Sequence, residues 1–343
     1  VRRGVNNALN LTSPVLTLGG WYHEEDQWDH LRHRWSAEYL VYGERALFNV
    51  PIRDCFSIFG SVIDQVYKLN DLLDHQHIYS FDVQRFHVGG ELVFNPCLYA
   101  FGKIGVSRYS PYHSSLFDCQ THTLTEPSLT FVYHTPIQKA TLGVLTESDL
   151  IARDFDTNHA KLVGYDMITM TYEQRVMRRG WAGIEANATW YRDYVNNKSQ
   201  RVLGWFQWRP PCYANYILFR YFAKYQTFSK NIPDYYTYKP QIVNQLQVTL
   251  ENNWRVWFAD RLYTSLSYAH GWQNTHTRFS DIIVIDPTVL NPPLIWDNRQ
   301  YNILFGNLIY KYQCLQITLA GDYYRDSQKY TIATIGLDVS WRF

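Results

Sequence analysis

The sequence lacks the long apolar runs that a membrane-spanning helix needs. No stretch of its 343 residues approaches 18 consecutive apolar residues, and the mean hydropathy is negative. A helical membrane protein is therefore excluded. An excess of charge of one sign is also missing, because 32 basic and 31 acidic residues leave a net charge of +1. That balance gives no case for a nucleic-acid partner.

Few residue patterns in the chain could hold a metal. The 12 histidines show no His-Glu-x-x-His spacing, and the cysteines form no Cys-x-x-Cys pair. We therefore expect no metal site and no cofactor. The five cysteines are scattered singly: Cys55, Cys97, Cys119, Cys212 and Cys314. Their odd number leaves at least one unpaired or bonded to another chain, and a bridge from Cys97 to Cys119 stays open if the compartment is oxidising.

Aromatic residues are what the chain has in excess. They make up 17% of it, with 28 Tyr, 18 Phe and 12 Trp. Tyr and Trp join an apolar body to a polar tip, so they suit the two interfacial girdles of a membrane β-barrel. Rings also stack on sugars, so a carbohydrate-binding β protein would explain the same composition.

The last stretch of the chain, residues 330–343, has the clearest strand pattern. Its apolar residues occur at every second position, and four of them are Leu337, Val339, Trp341 and Phe343. Small or polar residues lie between them, as in a strand with two unlike faces. A terminal Phe after alternating apolar residues resembles the signal by which the bacterial outer-membrane assembly machinery recognises its substrates. The alternative is an edge strand of a soluble sandwich.

Other strands repeat this alternation, and their polar faces give the candidate functional residues. A wholly polar face on a long strand needs water behind it, which is what the lumen of a barrel provides. The residues that we predict to line the lumen are Glu185, Asn187, Tyr191, Gln245, Gln247, Gln316, Asp322, Tyr324, Asp338 and Arg342. The alternative is that these side chains only wet the interior or bond across strands.

The strand count and the strand lengths define the expected fold. About sixteen strands, mostly of ten residues or longer, are joined by one set of tight turns and another of longer loops. The predicted fold is an all-β, antiparallel up-and-down transmembrane barrel. We predict tight turns at Asn95-Pro96, Thr135-Pro136 and Asn252-Asn253. We also predict that the third strand lies within residues 45–60. The barrel spans residues 14–343. Residues 1–13 show no periodicity and no signal peptide, and we expect a lead-in or linker there.

Two stretches depart from the strand pattern. Apolar residues within 61–83 fall at helical spacing, which favours a short helix in a long loop that could plug the lumen. Residues 274–299 include Pro287, Pro292 and Pro293 and are expected to form a second long loop, a possible lid. Ordinary surface loops are the alternative for both stretches.

Several segments resemble the C-terminal barrels of tetratricopeptide-linked exopolysaccharide export porins, which carry poly-N-acetylglucosamine or cellulose. The similar segments are residues 13–26, 180–185 and 190–197. The resemblance implies passive conduction of an exopolysaccharide across the bacterial outer membrane, with no bond made or broken and hence no enzyme. No tetratricopeptide helices precede the barrel, so we expect a fragment, a stand-alone relative or a different porin.

The resemblance also implies partners. These are outer-membrane lipid and lipopolysaccharide, the barrel assembly machinery, a polysaccharide ligand and a periplasmic partner domain. A general diffusion porin or surface-binding barrel is the alternative, in which Arg175, Arg178, Arg179 and Arg192 form a basic cluster at a constriction or meet lipopolysaccharide phosphates at the outer rim.

An outer-membrane esterase or phospholipase is a further alternative. His270 has Asn274 nearby in the sequence, and Ser265 and Ser267 precede it. A serine nucleophile needs the histidine within hydrogen-bond reach and a third residue that orients it. No nucleophile motif surrounds either serine, so the sequence favours a channel.

Overall fold

The fold consists of β-strands joined by turns and links. The computed structural model describes residues 13–29, 34–71, 76–113, 122–154, 159–192, 196–211, 216–230, 240–256, 259–278 and 294–343. The strands are β1 (Val15–Asp29), β2 (Arg34–Arg53), β3 (Phe56–Asp71), β4 (Gln76–Asn95), β5 (Leu98–His113), β6 (His122–Thr125), β7 (Ser128–His134), β8 (Gln138–Asp154), β9 (His159–Met177), β10 (Gly180–Tyr191), β11 (Lys198–Trp208), β12 (Ile217–Phe228), β13 (Gln241–Val256), β14 (Ala259–Arg278), β15 (Leu294–Tyr312), β16 (Leu315–Asp326) and β17 (Thr331–Arg342).

The strands form one closed antiparallel sheet. Strand β1 pairs with both β2 and β17, with Val15 opposite Arg342, so the sheet has no free edge. Strands β6 and β7 both pair with β5, and the backbones of Gly105 and Glu126 exchange hydrogen bonds of 3.1 and 2.8 Å between them. These two strands share one position in the wall, so the barrel has 16 positions. The predicted fold class is confirmed.

The strand number fixes the width of the barrel. Sixteen positions at a strand spacing of about 4.8 Å and a tilt of about 40° give a backbone radius of about 16 Å. Barrels of 16 to 18 strands are wide enough to leave an aqueous channel. The wall can therefore enclose water even after inward side chains are added.

The outer face of the wall is an apolar belt. Along β13 and β14 the side chains of Leu246, Leu250, Leu266 and Tyr268 are each 51–53% exposed, and similar residues recur on every neighbouring strand. A soluble monomer rarely exposes so large a contiguous apolar surface, whereas lipid covers it in a membrane barrel. Among the described residues, no helix is long and apolar enough to cross a membrane.

The two ends of the barrel differ in their connections. At one end lie both chain ends of the sheet and mostly tight turns, such as the two-residue links after β2, β4, β9 and β15. At the other end the links are longer, and those after β12 and β14 span residues 229–240 and 279–293. We call these the short-turn end and the long-loop end. In bacterial outer-membrane barrels they correspond to the periplasmic and extracellular sides.

The predicted helix and plug at residues 61–83 are wrong. Residues 61–71 continue β3, residues 76–83 open β4, and residues 72–75 lie outside the described part. The alternation fails there because an apolar cluster of Val41, Tyr67, Phe81, Val83 and Tyr109 occupies the inner face near the long-loop end. With apolar residues on both faces, the period of two disappears from the sequence.

Two other boundaries also differ from prediction. The stretch 45–60 holds the end of β2 and the start of β3, with the turn at Asp54 and Cys55. Asn252 and Asn253 are inside β13, opposite Thr264 and Tyr263 of β14, so they form no turn.

The predicted loop at 274–299 is shorter than expected. Strand β14 continues to Arg278 and β15 begins at Leu294, while residues 279–293, with any lid, lie outside the described residues. The lead-in at 1–13 falls almost wholly outside them too. Cys97 is a free cysteine in the turn after β4, so the Cys97 to Cys119 bridge is absent.

Candidate functional site: the inner wall of the barrel

Contacts that cross an intervening strand identify the inner face. On β2, Nε and Nη2 of Arg45 donate hydrogen bonds of 3.1 and 2.6 Å to the two carboxylate oxygens of Asp338 on β17, across β1. Tyr301 of β15 donates a 3.0 Å hydrogen bond to Oε1 of Gln245 on β13, across β14. Side chains two strands apart converge on a concave surface and diverge on a convex one. These residues therefore face the lumen.

Glycine on the intervening strand makes these crossings possible. A Cβ on Gly19, between Arg45 and Asp338, would lie 1.9 Å from Oδ1 of Asp338. A Cβ on Gly271, beneath Tyr301, would lie 2.1 Å from the Cζ atom of that ring. The bridging side chains therefore lie directly against the backbone of the strand that they cross.

Aromatic rings lie flat on the inner wall by the same device. A Cβ on Gly183 would lie 2.1 Å from Cζ2 of Trp205, and a Cβ on Gly43 would lie 2.8 Å from Cζ2 of Trp21. Each ring covers a glycine of the neighbouring strand. A ring held this way packs one face on the wall and turns the other towards the lumen.

More rings gather on the inner face near the long-loop end. Tyr191 and Phe228 stack at 5.6 Å, and Tyr301 and Tyr324 stack at 5.2 Å. Tyr330, in the link between β16 and β17, meets Tyr324 edge-on at 6.0 Å and donates a hydrogen bond to Glu25. Burial, followed by the charge of that carboxylate, raises the pKa of Tyr330 above its ordinary value.

All ten residues predicted to line the lumen lie on the inner face of their strands. Each shares the face of a residue already placed inside, as Gln316 shares the face of Thr318 opposite Asp338. Asn187 accepts a 2.7 Å hydrogen bond from Thr169 and donates one of 3.1 Å to Glu185. Many of these side chains thus bond to the wall itself, and their contact with a solute stays a prediction.

The inner wall also carries ion pairs that the sequence did not predict. The pairs are Arg45 with Asp338, Arg201 with Glu185, Arg209 with Glu251, Arg299 with Asp297 and Asp326, and His87 with Glu126. Apart from Arg299 and Asp297, which lie two residues apart on β15, the partners are far apart in the sequence, so sequence spacing gives little signal. Predicting these ion pairs would require the register of the paired strands.

One of these contacts extends into a chain of three groups. Ser61 lies 3.1 Å from Nδ1 of His87, and Nε2 of His87 lies 2.9 Å from Glu126. The ring nitrogens are used in the reverse order of a serine protease triad, where the serine meets Nε2. The imidazole lies over Gly105, where a Cβ would be 2.0 Å from its Cδ2. The geometry describes a link across the wall from β3 to Glu126, which lies between β6 and β7.

The residues of the esterase alternative are not brought together. His270 and Asn274 lie on the outer face of β14, where Nδ1 of His270 is 2.9 Å from Oδ1 of Asn302. Ser265 and Ser267 lie on the inner face of the same strand, and Ser267 hydrogen-bonds to Thr249 at 2.8 Å. The wall separates this histidine from both serines.

The arginine cluster of the diffusion-porin alternative is also not assembled. Arg175, Arg178 and Arg179 lie at the short-turn end, where Arg175 donates to the Arg178 carbonyl oxygen. Arg192 follows β10 at the opposite end and pairs with Asp166 at 2.7 Å. The suggestion that all four meet lipopolysaccharide at one rim is therefore wrong.

Two sets of residues lie on the outer face. The carboxylate oxygens of Glu24, Asp26 and Glu38 lie within 4.8 Å of one another near the long-loop end, outside the lumen. The residues of the predicted assembly signal are also outside and are 37–69% exposed: Leu337, Val339, Trp341 and Phe343. Their role in assembly stays a prediction.

Comparisons with known proteins agree with the fold. No family model matches the chain, and no curated protein matches it. A solved structure described as a bacterial polysaccharide outer membrane secretin superposes with a TM-score of 0.60 at 10% identity, over 97% of this chain and 99% of that one. Pseudomonas aeruginosa OccK7 (OpdD) gives 0.47 at 10% identity, over 96% and 98%, and Pseudomonas putida OprB gives 0.45 at 10% identity, over 99% and 96%.

The fold and the apolar belt together define the class of this protein. It is a closed β-barrel with the fold of bacterial outer-membrane barrels. The similarity to the polysaccharide secretin is at the level of the fold.

Proposed function

We propose that this barrel is a channel, not an enzyme, that conducts a polysaccharide through its lumen by passive movement. The observation that carries the proposal is the set of aromatic rings held flat against the inner wall, as Trp205 is over Gly183. A flat ring face binds a sugar ring through its apolar side without fixing its orientation. A polymer can therefore move from one ring to the next.

The polar residues of the inner face support the same proposal. Gln247 and Gln316 present amide groups that can exchange hydrogen bonds with sugar hydroxyls or with water. Such exchange keeps the binding free energy of any one position small, which conduction requires. A structure described as a polysaccharide outer membrane secretin has the same fold over nearly its whole length.

The proposal includes the partners expected from the sequence. The apolar belt would contact lipid, the long-loop end would face lipopolysaccharide, and the barrel assembly machinery would insert the chain. A periplasmic partner domain would deliver the polymer at the short-turn end.

The test is single-channel recording from the purified full chain in a planar bilayer, with neutral oligosaccharides in the bath. We expect stable conductance that the sugars block. Trp205→Ala removes an inner ring, and aromatic contacts of about 0.5–1.5 kcal/mol correspond to a block weakened about two- to twelvefold. The matched control is Trp208→Ala, which removes an outer ring stacked on Phe219 at 6.1 Å and should leave block unchanged.

Two results would contradict the proposal. Conductance that is indifferent to oligosaccharides indicates a general diffusion porin. A folded, inserted barrel that conducts nothing indicates that it is not an open channel.

A further inference from the structure

Several charges of the inner wall are neutralised in place. Arg45 and Arg201 each contact a carboxylate of another strand, as do Arg209 and Arg299. A paired charge that is held by hydrogen bonds has little attraction left for a solute. An inner cation without such a pair keeps its attraction for an anionic group.

Lys224 on β12 is such a residue. Among the residues that the structure describes, its ammonium has no hydrogen bond and no ion pair, and the side chain is only partly exposed. Its strand neighbours on the same face are the apolar Leu203 and Val243. No carboxylate of the described residues neutralises this ammonium in place, so it can still attract an anionic group.

A second cation, Arg220, lies on the same face of β12 as Lys224. Arg220 lies four residues before Lys224 and donates a 2.9 Å hydrogen bond to the neutral amide of Gln207. The Nε atom of Arg220 is buried and has no hydrogen-bond partner. Among the described residues, no carboxylate forms an ion pair with this guanidinium. Two positive groups thus lie on one short segment of the inner wall.

Ring surfaces lie between and beside these cations. Phe222 occupies the inner position between Arg220 and Lys224, and the guanidinium carbon of Arg220 lies 5.5 Å from its ring centroid. Trp205, which covers Gly183, is directly opposite Phe222 across the β11–β12 pair. Residues two apart on a strand are about 7 Å apart, so a sugar ring on Phe222 or Trp205 places its substituents within reach of Lys224.

We infer that the polymer conducted by this barrel is anionic, and that Lys224, Trp205 and Phe222 form a binding subsite for a carboxylate-bearing sugar. The inference rests on the proposed function. The rings take the apolar face of the sugar, and the ammonium takes its carboxylate by a charge-assisted hydrogen bond. Lys224 is the eighth of the 12 residues of β12, so this subsite lies inside the wall, away from both mouths.

The probes are three oligosaccharides of equal length: an oligogalacturonate, a neutral malto-oligosaccharide and an oligoglucosamine. Each is added to the full chain conducting in a planar bilayer. We expect the oligogalacturonate to block at a concentration about tenfold lower than the neutral sugar, because a hydrogen bond to a charged group is stronger than one to a neutral group. We expect the oligoglucosamine to block least.

Two variants locate the effect. Lys224→Gln should abolish the preference for the acidic probe and shift the reversal potential in a KCl gradient towards cation selectivity. Lys103→Gln is the matched control, since Lys103 is an inner-face lysine on β5, opposite Gly89 and Ser128, and it should leave the preference intact. Both variants must show the same heat-dependent mobility shift as the unmodified barrel.

The possible failures are distinguishable. Absence of conductance from the folded, unmodified chain overturns the proposed function and this inference with it. Conductance that is blocked equally by all three probes, or best by the oligoglucosamine, overturns only the anionic assignment. A preference for the acidic probe that survives in Lys224→Gln, or that is lost equally in Lys103→Gln, overturns the assignment of the subsite.

Discussion

Replacing Gly183 with alanine tests whether rings lie flat on the inner wall. In the structure an added Cβ would be 2.1, 2.4 and 2.6 Å from three ring atoms of Trp205. A Cβ atom essentially never lies within 3.0 Å of a non-bonded heavy atom, so the ring must move by about 1 Å or leave the wall. Because a strand backbone is held by hydrogen bonds on both sides, the ring is the part that yields.

The expected loss in the free energy of unfolding follows from the rotamer and the contacts that the Trp205 ring gives up. Turning Trp205 away from its rotamer costs about 0.5–1.5 kcal/mol. Exposing about 50–80 Å² of ring surface costs a further 1–2 kcal/mol at about 25 cal/mol per Å². An alanine gains about 0.5–1 kcal/mol over glycine within a strand because it restricts the unfolded chain. We expect a net loss of about 1–3 kcal/mol in the free energy of unfolding.

The matched control is Gly204→Ala. Gly204 precedes Trp205 on β11 and faces outwards, and nothing lies within 4 Å of an added Cβ there. This variant should be as stable as the unmodified chain or slightly more stable. The assay is urea unfolding from lipid vesicles, read by the mobility shift on gels without heating. Equal stability of Gly183→Ala and Gly204→Ala would refute the flat position of Trp205.

Two further predictions concern ion pairs and sidedness. Glu126→Ala should destabilise the barrel by about 2–3 kcal/mol in the same assay, because the side chains of Glu126 and His87 are only 4% and 7% exposed. Asp338→Ala, which breaks the more exposed pair with Arg45, should cost less than about 1 kcal/mol. Equal losses of stability in the two variants would contradict the difference in burial. In intact cells an impermeant maleimide should label a cysteine placed at Ser327, which lies at the long-loop end. The same reagent should not label Cys314, at the short-turn end, until the outer membrane is opened. The reverse labelling pattern would contradict the proposed orientation.

The alternation of apolar and polar residues predicts most of this fold. On β10, β13, β16 and β17 one face meets lipid and the other meets water, so the period of two is clear in the sequence. The same alternation places all ten candidate lumen residues on the inner face. The sequence of such a strand therefore shows which of its faces meets lipid and which meets water.

The misses have physical reasons. Tyr67 and Val83 face inwards but are buried in an apolar cluster, so β3 and β4 lose their alternation there. Asn252 and Asn253 look like a turn, yet Asn253 accepts a 3.1 Å hydrogen bond from Arg261 inside the hairpin of β13 and β14. A local preference for turns was overridden by pairing with the next strand.

The candidate site shows a stricter limit of sequence reasoning. Trp205 lies over Gly183, and His87 reaches Glu126 across Gly105, only because the barrel has a particular register and curvature. These contacts join residues on different strands at no fixed spacing. The polar face could be predicted, whereas the pairing that leaves Lys224 uncompensated required the closed sheet.

Liposome swelling with neutral sugars of graded size tests the central claim, a hydrated lumen that passes carbohydrate. The full chain is inserted into vesicles, and its folding is checked by the mobility shift. A backbone radius of about 16 Å leaves room for sugars after inward side chains are added, so we expect swelling with monosaccharides and with short oligosaccharides. Vesicles that hold folded barrel but do not swell even with a monosaccharide would contradict the account.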